Sequence, residues 1–107
     1  MTVPSIVQSS KPVERSENLY RPHPGEVFTR RILNKTTLKQ PEMASLIGIS
    51  VKHLSRFANG HVSVTADLAR KLEACTNISA EAWLHYQIQY DLYKTPKIER
   101  SAQTLTA

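Results

Sequence analysis

The chain has 107 residues, one domain's worth: enough to bury a core and too few for a second independent domain. Its 14 Lys and Arg against 9 Asp and Glu leave a formal charge of +5, which favours a polyanionic partner without identifying it. The single cysteine, Cys75, excludes an internal disulfide and a thiolate metal cluster and suits a reducing compartment. No run of about 18 apolar residues is present to span a membrane, and the N-terminus lacks a secretory-signal pattern, so a cytoplasmic protein is expected.

Alternating apolar and polar positions are missing, whereas Leu, Ala, Ile, Lys and Glu recur at helical spacings, so the fold class expected is all-α. Residues 1–22 contain Pro4, Pro12 and Pro22, many serines and no apolar period, and are read as a disordered N-terminal arm. A folded domain is expected over residues 23–94. Its first helix starts at Pro24, whose fixed φ suits a first turn, and is read as far as Lys35, with Phe28, Ile32 and Leu33 on one apolar stripe. The second starts near Gln40, because Pro41 is tolerated only in a first turn, and stops at Gly48.

Ser50 then caps a third helix over Val51 to Ala58, which Asn59 and Gly60 end. Thr65 caps a fourth, running to Cys75 with Leu68, Ala69 and Leu72 on one side; Cys75 itself is expected to be a small buried hydrophobe. Ser79 caps the fifth and longest, which carries Glu81 in its first turn and ends near Lys94, ahead of Pro96. Residues 95–107 are read as a flexible polar tail.

On a wheel of 100° per residue, Lys52, Ser55, Arg56 and Asn59 fall within about a third of the third helix's circumference, opposite Leu54, Phe57 and Ala58. Arg and Asn are the side chains that pair two-fold with guanine and adenine, and Lys and Ser serve bases or phosphates. Such an arc is ordinarily a solvated face. Here it follows a short helix, a Gly turn and a Ser cap, the arrangement in which one helix crosses a DNA backbone while the next enters the major groove. Double-stranded operator DNA is therefore the expected partner.

Leu38, Gln40, Glu42, Met43, Ala44, Ile47, Gly48, Ile49 and Ser50 resemble the Cro/repressor-type (XRE) helix-turn-helix pattern. His23 to Glu26, Thr65 to Leu72 and the Trp-Leu-x-x-Gln-x-x-Tyr-Asp-Leu run from Trp83 to Leu92 resemble HigA-family antitoxins, so that the likeness covers about residues 22–94. It implies a five-helix lambda-repressor-like domain that dimerises, represses its own operon and neutralises a HigB-type ribonuclease toxin. By position it implies a phosphate contact for Gln40, base contacts for Lys52, Ser55 and Arg56, and DNA-backbone contacts for Lys39, His53, Asn59 and His61, with Ser50 also among the DNA-binding residues. Lys39 departs from the Ser or Thr usual at its position, and Pro41 follows soon after.

The fifth helix bears two apolar stripes, Trp83, Tyr86, Tyr90 and Tyr93 on one side and Leu84, Ile88 and Leu92 almost opposite. A terminal helix needs one. The second points to a homodimer, for which Leu84, Ile88 and Leu92 are the candidate residues, although which stripe faces inward is left open. In the arm, Val3, Ile6, Val7, Val13, Leu19 and Tyr20 could anchor a segment that folds on a toxin; the alternative is a toxin site on the folded domain near the first helix. The four histidines are scattered and only three glycines are present, so no metal, no cofactor and no enzyme are expected. The competing readings are a repressor without a toxin partner and a pure protein-interaction module.

Overall fold

A computed structural model describes residues 19–105, in which the chain forms five α-helices and one turn of 3-10 helix, with no strand among the described residues. They are α1 (Pro24–Arg31), the 3-10 turn (Leu33–Lys35), α2 (Gln40–Ile47), α3 (Val51–Ala58), α4 (Ala66–Cys75) and α5 (Ala80–Lys94). None of the described helices is long and apolar enough to cross a membrane.

The boundaries follow from local chemistry. Ser50, Thr65 and Ser79 each accept a hydrogen bond from the N–H three residues on, at His53, Leu68 and Ala82, satisfying one donor of each helix N-terminus. Gly48 takes the left-handed φ of 91° that ends α2 and turns the chain into α3. At Lys39 no hydroxyl is available, and the Glu42 carboxylate instead accepts the Lys39 N–H at 3.0 Å; this is the return half of a capping box.

Two expectations are corrected. The first helix does not run to Lys35: α1 closes at Arg31, and the chain tightens into the 3-10 turn, with Lys35 N–H donating to the Ile32 carbonyl at 3.1 Å. The adjacent residues Ile32 and Leu33 both pack against the core, and the change of winding accompanies that shared inward placement. Cys75 is exposed, its thiol directed at the Lys71 and Leu72 carbonyls. It shares a face with Leu68 and Leu72 but closes α4, beyond the part of the helix that the core covers.

The core is built around three rings from three helices. Phe28 of α1, Phe57 of α3 and Trp83 of α5 are fully buried, with centroids 5.4 Å apart for Phe28–Phe57 and 6.4 Å for each ring to Trp83. Tilted and edge-on contacts of this kind suit the ring quadrupoles and add to the area they bury. Leu54, Leu68, Ala69 and Leu72 complete the interior, as α4 packs on α5 and α2 on both α3 and α4.

On α5 the aromatic stripe turns inward and the aliphatic one outward. Trp83 is buried and Tyr86 half-buried, whereas Ile88 and Leu92 are 54% and 66% exposed and Leu84 packs partly on the core. Gln87 is also buried: its side-chain oxygen accepts the Val64 N–H at 2.7 Å and its amide donates to Asp91 at 2.9 Å. The α3–α4 connection is thereby fastened to the last helix.

Candidate nucleic-acid interface

α3 is an eight-residue helix with a sharply divided surface. Leu54 and Phe57 have no exposure, and Phe57 is one corner of the ring triangle, so the inner side of the helix is fixed. Lys52, Arg56, Asn59 and His61 are exposed, and His53 and Ser55 are half-buried. The ion pairs Arg30–Glu26, Arg70–Glu73 and Lys71–Asp67 lie on other helices, and no carboxylate pairs with Lys52 or Arg56 among the described residues. Two uncompensated cations one turn apart give this side of the helix a positive charge that favours a polyanion.

The other expected residues are distributed around that edge. Ser50 caps α3, and its hydroxyl is committed to the His53 N–H at 3.0 Å. Lys39 and Gln40 are exposed at the start of α2, the helix that precedes the turn. Asn59 points back onto its own helix: its amide donates to the Ser55 carbonyl at 2.8 Å and lies 3.5 Å from the Ser55 hydroxyl. That amide holds the end of α3 and steers Ser55. Val51, which residue-type reasoning passes over because it is apolar, is 44% exposed at the first position of α3.

What positions α3 comes from residues far from it in sequence. His23 is the N-cap of α1, its ring Nδ1 accepting the Gly25 N–H at 2.8 Å. The same ring packs edge-on against Tyr90 of α5 at 4.9 Å, lies 6.2 Å from Phe57 and sits against Gly60, whose φ is 80°. Burial pushes the His23 imidazole below its ordinary pKa, with His61 acting in the same direction; a backbone hydrogen bond with Val62 and the nearby Asp91 pull less strongly the other way. A proton on Nδ1 would abolish the acceptor that caps α1.

Beside this junction is a cleft of about 520 Å³, lined among others by Tyr20, Glu26, Asn59, Tyr93 and Lys94. The Tyr20 hydroxyl donates to Glu26, which also pairs with Arg30, and its ring stands edge-on to Tyr93 at 5.7 Å. Those donors hold the Glu26 carboxyl below its ordinary range, and the same hydrogen bond raises the Tyr20 phenol. Of the six arm residues expected to meet a toxin, Leu19 is 47% and Tyr20 56% exposed; Val3, Ile6, Val7 and Val13 lie outside the described residues. The dimer candidates Leu84, Ile88 and Leu92 lie along α5, the last two bare.

This fold has known relatives. An uncharacterized HTH-type transcriptional regulator of Haemophilus influenzae is 26% identical over 81 residues, 76% of this chain and 76% of that protein. The structure is similar to an addiction module antidote protein of a HigA family from Coxiella burnetii, with a TM-score of 0.64 and 27% identity over 70% of this chain and 82% of that one. The Pseudomonas aeruginosa antitoxin HigA, solved with the higBA promoter, shares the fold at a TM-score of 0.64 and 23% identity, over 68% of this chain and 79% of that one. The Helix-turn-helix family profile matches residues 30–83, just over half the sequence and the whole of α2, the Gly48 turn and α3; the chain belongs to the helix-turn-helix family.

Proposed function

We propose that the chain is the antitoxin and autorepressor of a toxin–antitoxin pair. As a homodimer it binds an operator overlapping its own promoter, and it neutralises a HigB-type ribonuclease toxin. The observation that carries the DNA half is the surface of α3: exposed Lys52 and Arg56 without carboxylate partners, on a helix whose other side buries Leu54 and Phe57 completely. In this role α3 enters the major groove, Lys52, Ser55 and Arg56 address base edges, and Lys39, Gln40 and His61 address the flanking phosphates.

The bare aliphatic stripe of α5 supports the dimer. Ile88 and Leu92 on one copy cover the same residues on the other about a two-fold axis, and the two copies of α3 then address half-sites about 34 Å apart. The toxin half is supported by the likeness to the HigA-family antidote of Coxiella burnetii, while the Haemophilus influenzae relative, a transcriptional regulator by name, favours a repressor acting alone.

Growth separates these two readings. Cells expressing the adjacent open reading frame alone are predicted to arrest and to recover when this chain is co-expressed. A neighbour that is expressed and harmless leaves the stand-alone repressor. Toxin capture by the arm has its own test, because removal of residues 1–20 should abolish rescue while leaving the helix-turn-helix intact; undiminished rescue would put the toxin on the folded domain.

A further inference from the structure

Every other large apolar side chain of α3 is used by the core. Leu54 and Phe57 are fully buried, yet Val51 stands 44% exposed at the first helical position. At 100° per residue Val51 is about 40° from Ser55 on one side and about 20° from the half-buried Ala58 on the other, so it stands exposed at the border of the polar arc, with Asn59 about 80° and Lys52 about 100° away. It is also one of the residues nearest the N-terminal end of the helix, the end that contacts base edges when such a helix enters the major groove. Ser50 beside it is fixed by its hydrogen bond to His53, and valine's branched Cβ restricts χ1, so the two methyl groups have a defined place.

We propose that Val51 is a specificity-determining residue that contacts the C5-methyl group of a thymine in each operator half-site. This rests on the DNA-binding reading of α3 given above. The chemistry selects the base. In the major groove only thymine presents an apolar group, whereas the N4 amino group of cytosine and the N7 and O6 of guanine need hydrogen-bond partners that valine cannot supply. Against those bases Val51 would leave polar edges desolvated without compensation; against thymine it removes two apolar surfaces from water. Arg56 and Lys52 then supply attraction and hydrogen bonding further along the arc, and Val51 supplies discrimination at one step.

Uracil replacement tests this, because it deletes the methyl group and nothing else. Duplexes that the full-length protein selects from a random pool are resynthesised with each thymine exchanged singly for deoxyuridine, and affinities are measured for the wild type and for Val51→Ala. The wild type is expected to lose about fourfold at one thymine per half-site, the factor for roughly one methylene-sized apolar group returned to water. Val51→Ala should bind the thymine and uracil duplexes equally, with its circular dichroism unchanged because the side chain is not part of the core. If no uracil position distinguishes the wild type from Val51→Ala, the assignment is overturned while the DNA-binding reading stands. If the wild type selects no sequence at all, that reading falls and takes this one with it.

Discussion

A Cβ atom on Gly25 would stand 1.9 Å from the carbonyl oxygen of Phe57, so the first turn of α1 and the last turn of α3 meet backbone to backbone. A backbone carbonyl cannot swing aside as a side chain can. Gly25→Ala must therefore push α1 and α3 apart, at a cost of about 1 to 3 kcal/mol for overpacking. The orientation of the DNA-facing helix would change with it. Thermal or urea unfolding should show the loss, and DNA affinity measured well below the transition should fall as well. A variant as stable as the wild type would mean that the close approach is not maintained in solution.

His23 connects the same junction to pH. Its folded-state pKa lies below the ordinary histidine value, so once the pH drops under about 6.5 the unfolded chain binds more protons than the folded one. Stability from this group is complete above that value and is lost as the pH falls through it toward the folded-state pKa. Urea denaturation between about pH 7.5 and about pH 5 should show this decline. His23→Asn keeps an acceptor for the Gly25 N–H but does not titrate, and its profile should be flatter although its stability is lower overall. Superimposable wild-type and His23→Asn slopes would assign the pH dependence to other groups.

Much of this could be anticipated from the sequence, and the division has a physical basis. Pro24, Gly48, Ser50, Thr65 and Ser79 act within four residues of themselves, so helix starts and stops are visible locally. The split surface of α3 is equally local, being one helical period. What could not be read depends on contacts between distant segments: Gln87 bonds to Val64 23 positions away, and Tyr20 meets Tyr93 edge-on. Both stripes of α5 look alike in sequence, and the choice of the aromatic one as inner face is made by Phe28 and Phe57, which bring the complementary rings. Nothing local to His23 shows that α5 and Gly60 will close around it.

Gln87 yields a prediction of its own. The Val64 N–H is buried and its acceptor is the Gln87 side chain, so Gln87→Leu would leave that donor unsatisfied. A loss of about 1 to 3 kcal/mol in unfolding free energy is expected. Amide exchange at Val64 should accelerate more than at Leu68 in the neighbouring helix. Equal protection at both sites would show that another group takes over the bond.

For the outer stripe of α5, the pair Ile88→Asp and Leu92→Asp places two charges on a surface that the core does not use. The double variant should remain folded by circular dichroism and sediment as a monomer, whereas the wild type is expected to sediment as a dimer. Its operator affinity should drop because each half-site is then bound separately. A double variant that still sediments as a dimer would move the interface elsewhere.

The most direct measurement of the central claim, that α3 reads DNA sequence, compares the wild type with Arg56→Ala on a selected duplex and on a scrambled one of equal length, across a range of salt. The wild type should prefer the selected duplex, and its binding to both should weaken steeply with salt as counterions are released. Arg56→Ala should lose about 1 to 3 kcal/mol on the selected duplex and much less on the scrambled one. Equal losses on the two duplexes would make Arg56 a phosphate contact, and a wild type indifferent to both sequence and salt would contradict the DNA-reading assignment of α3.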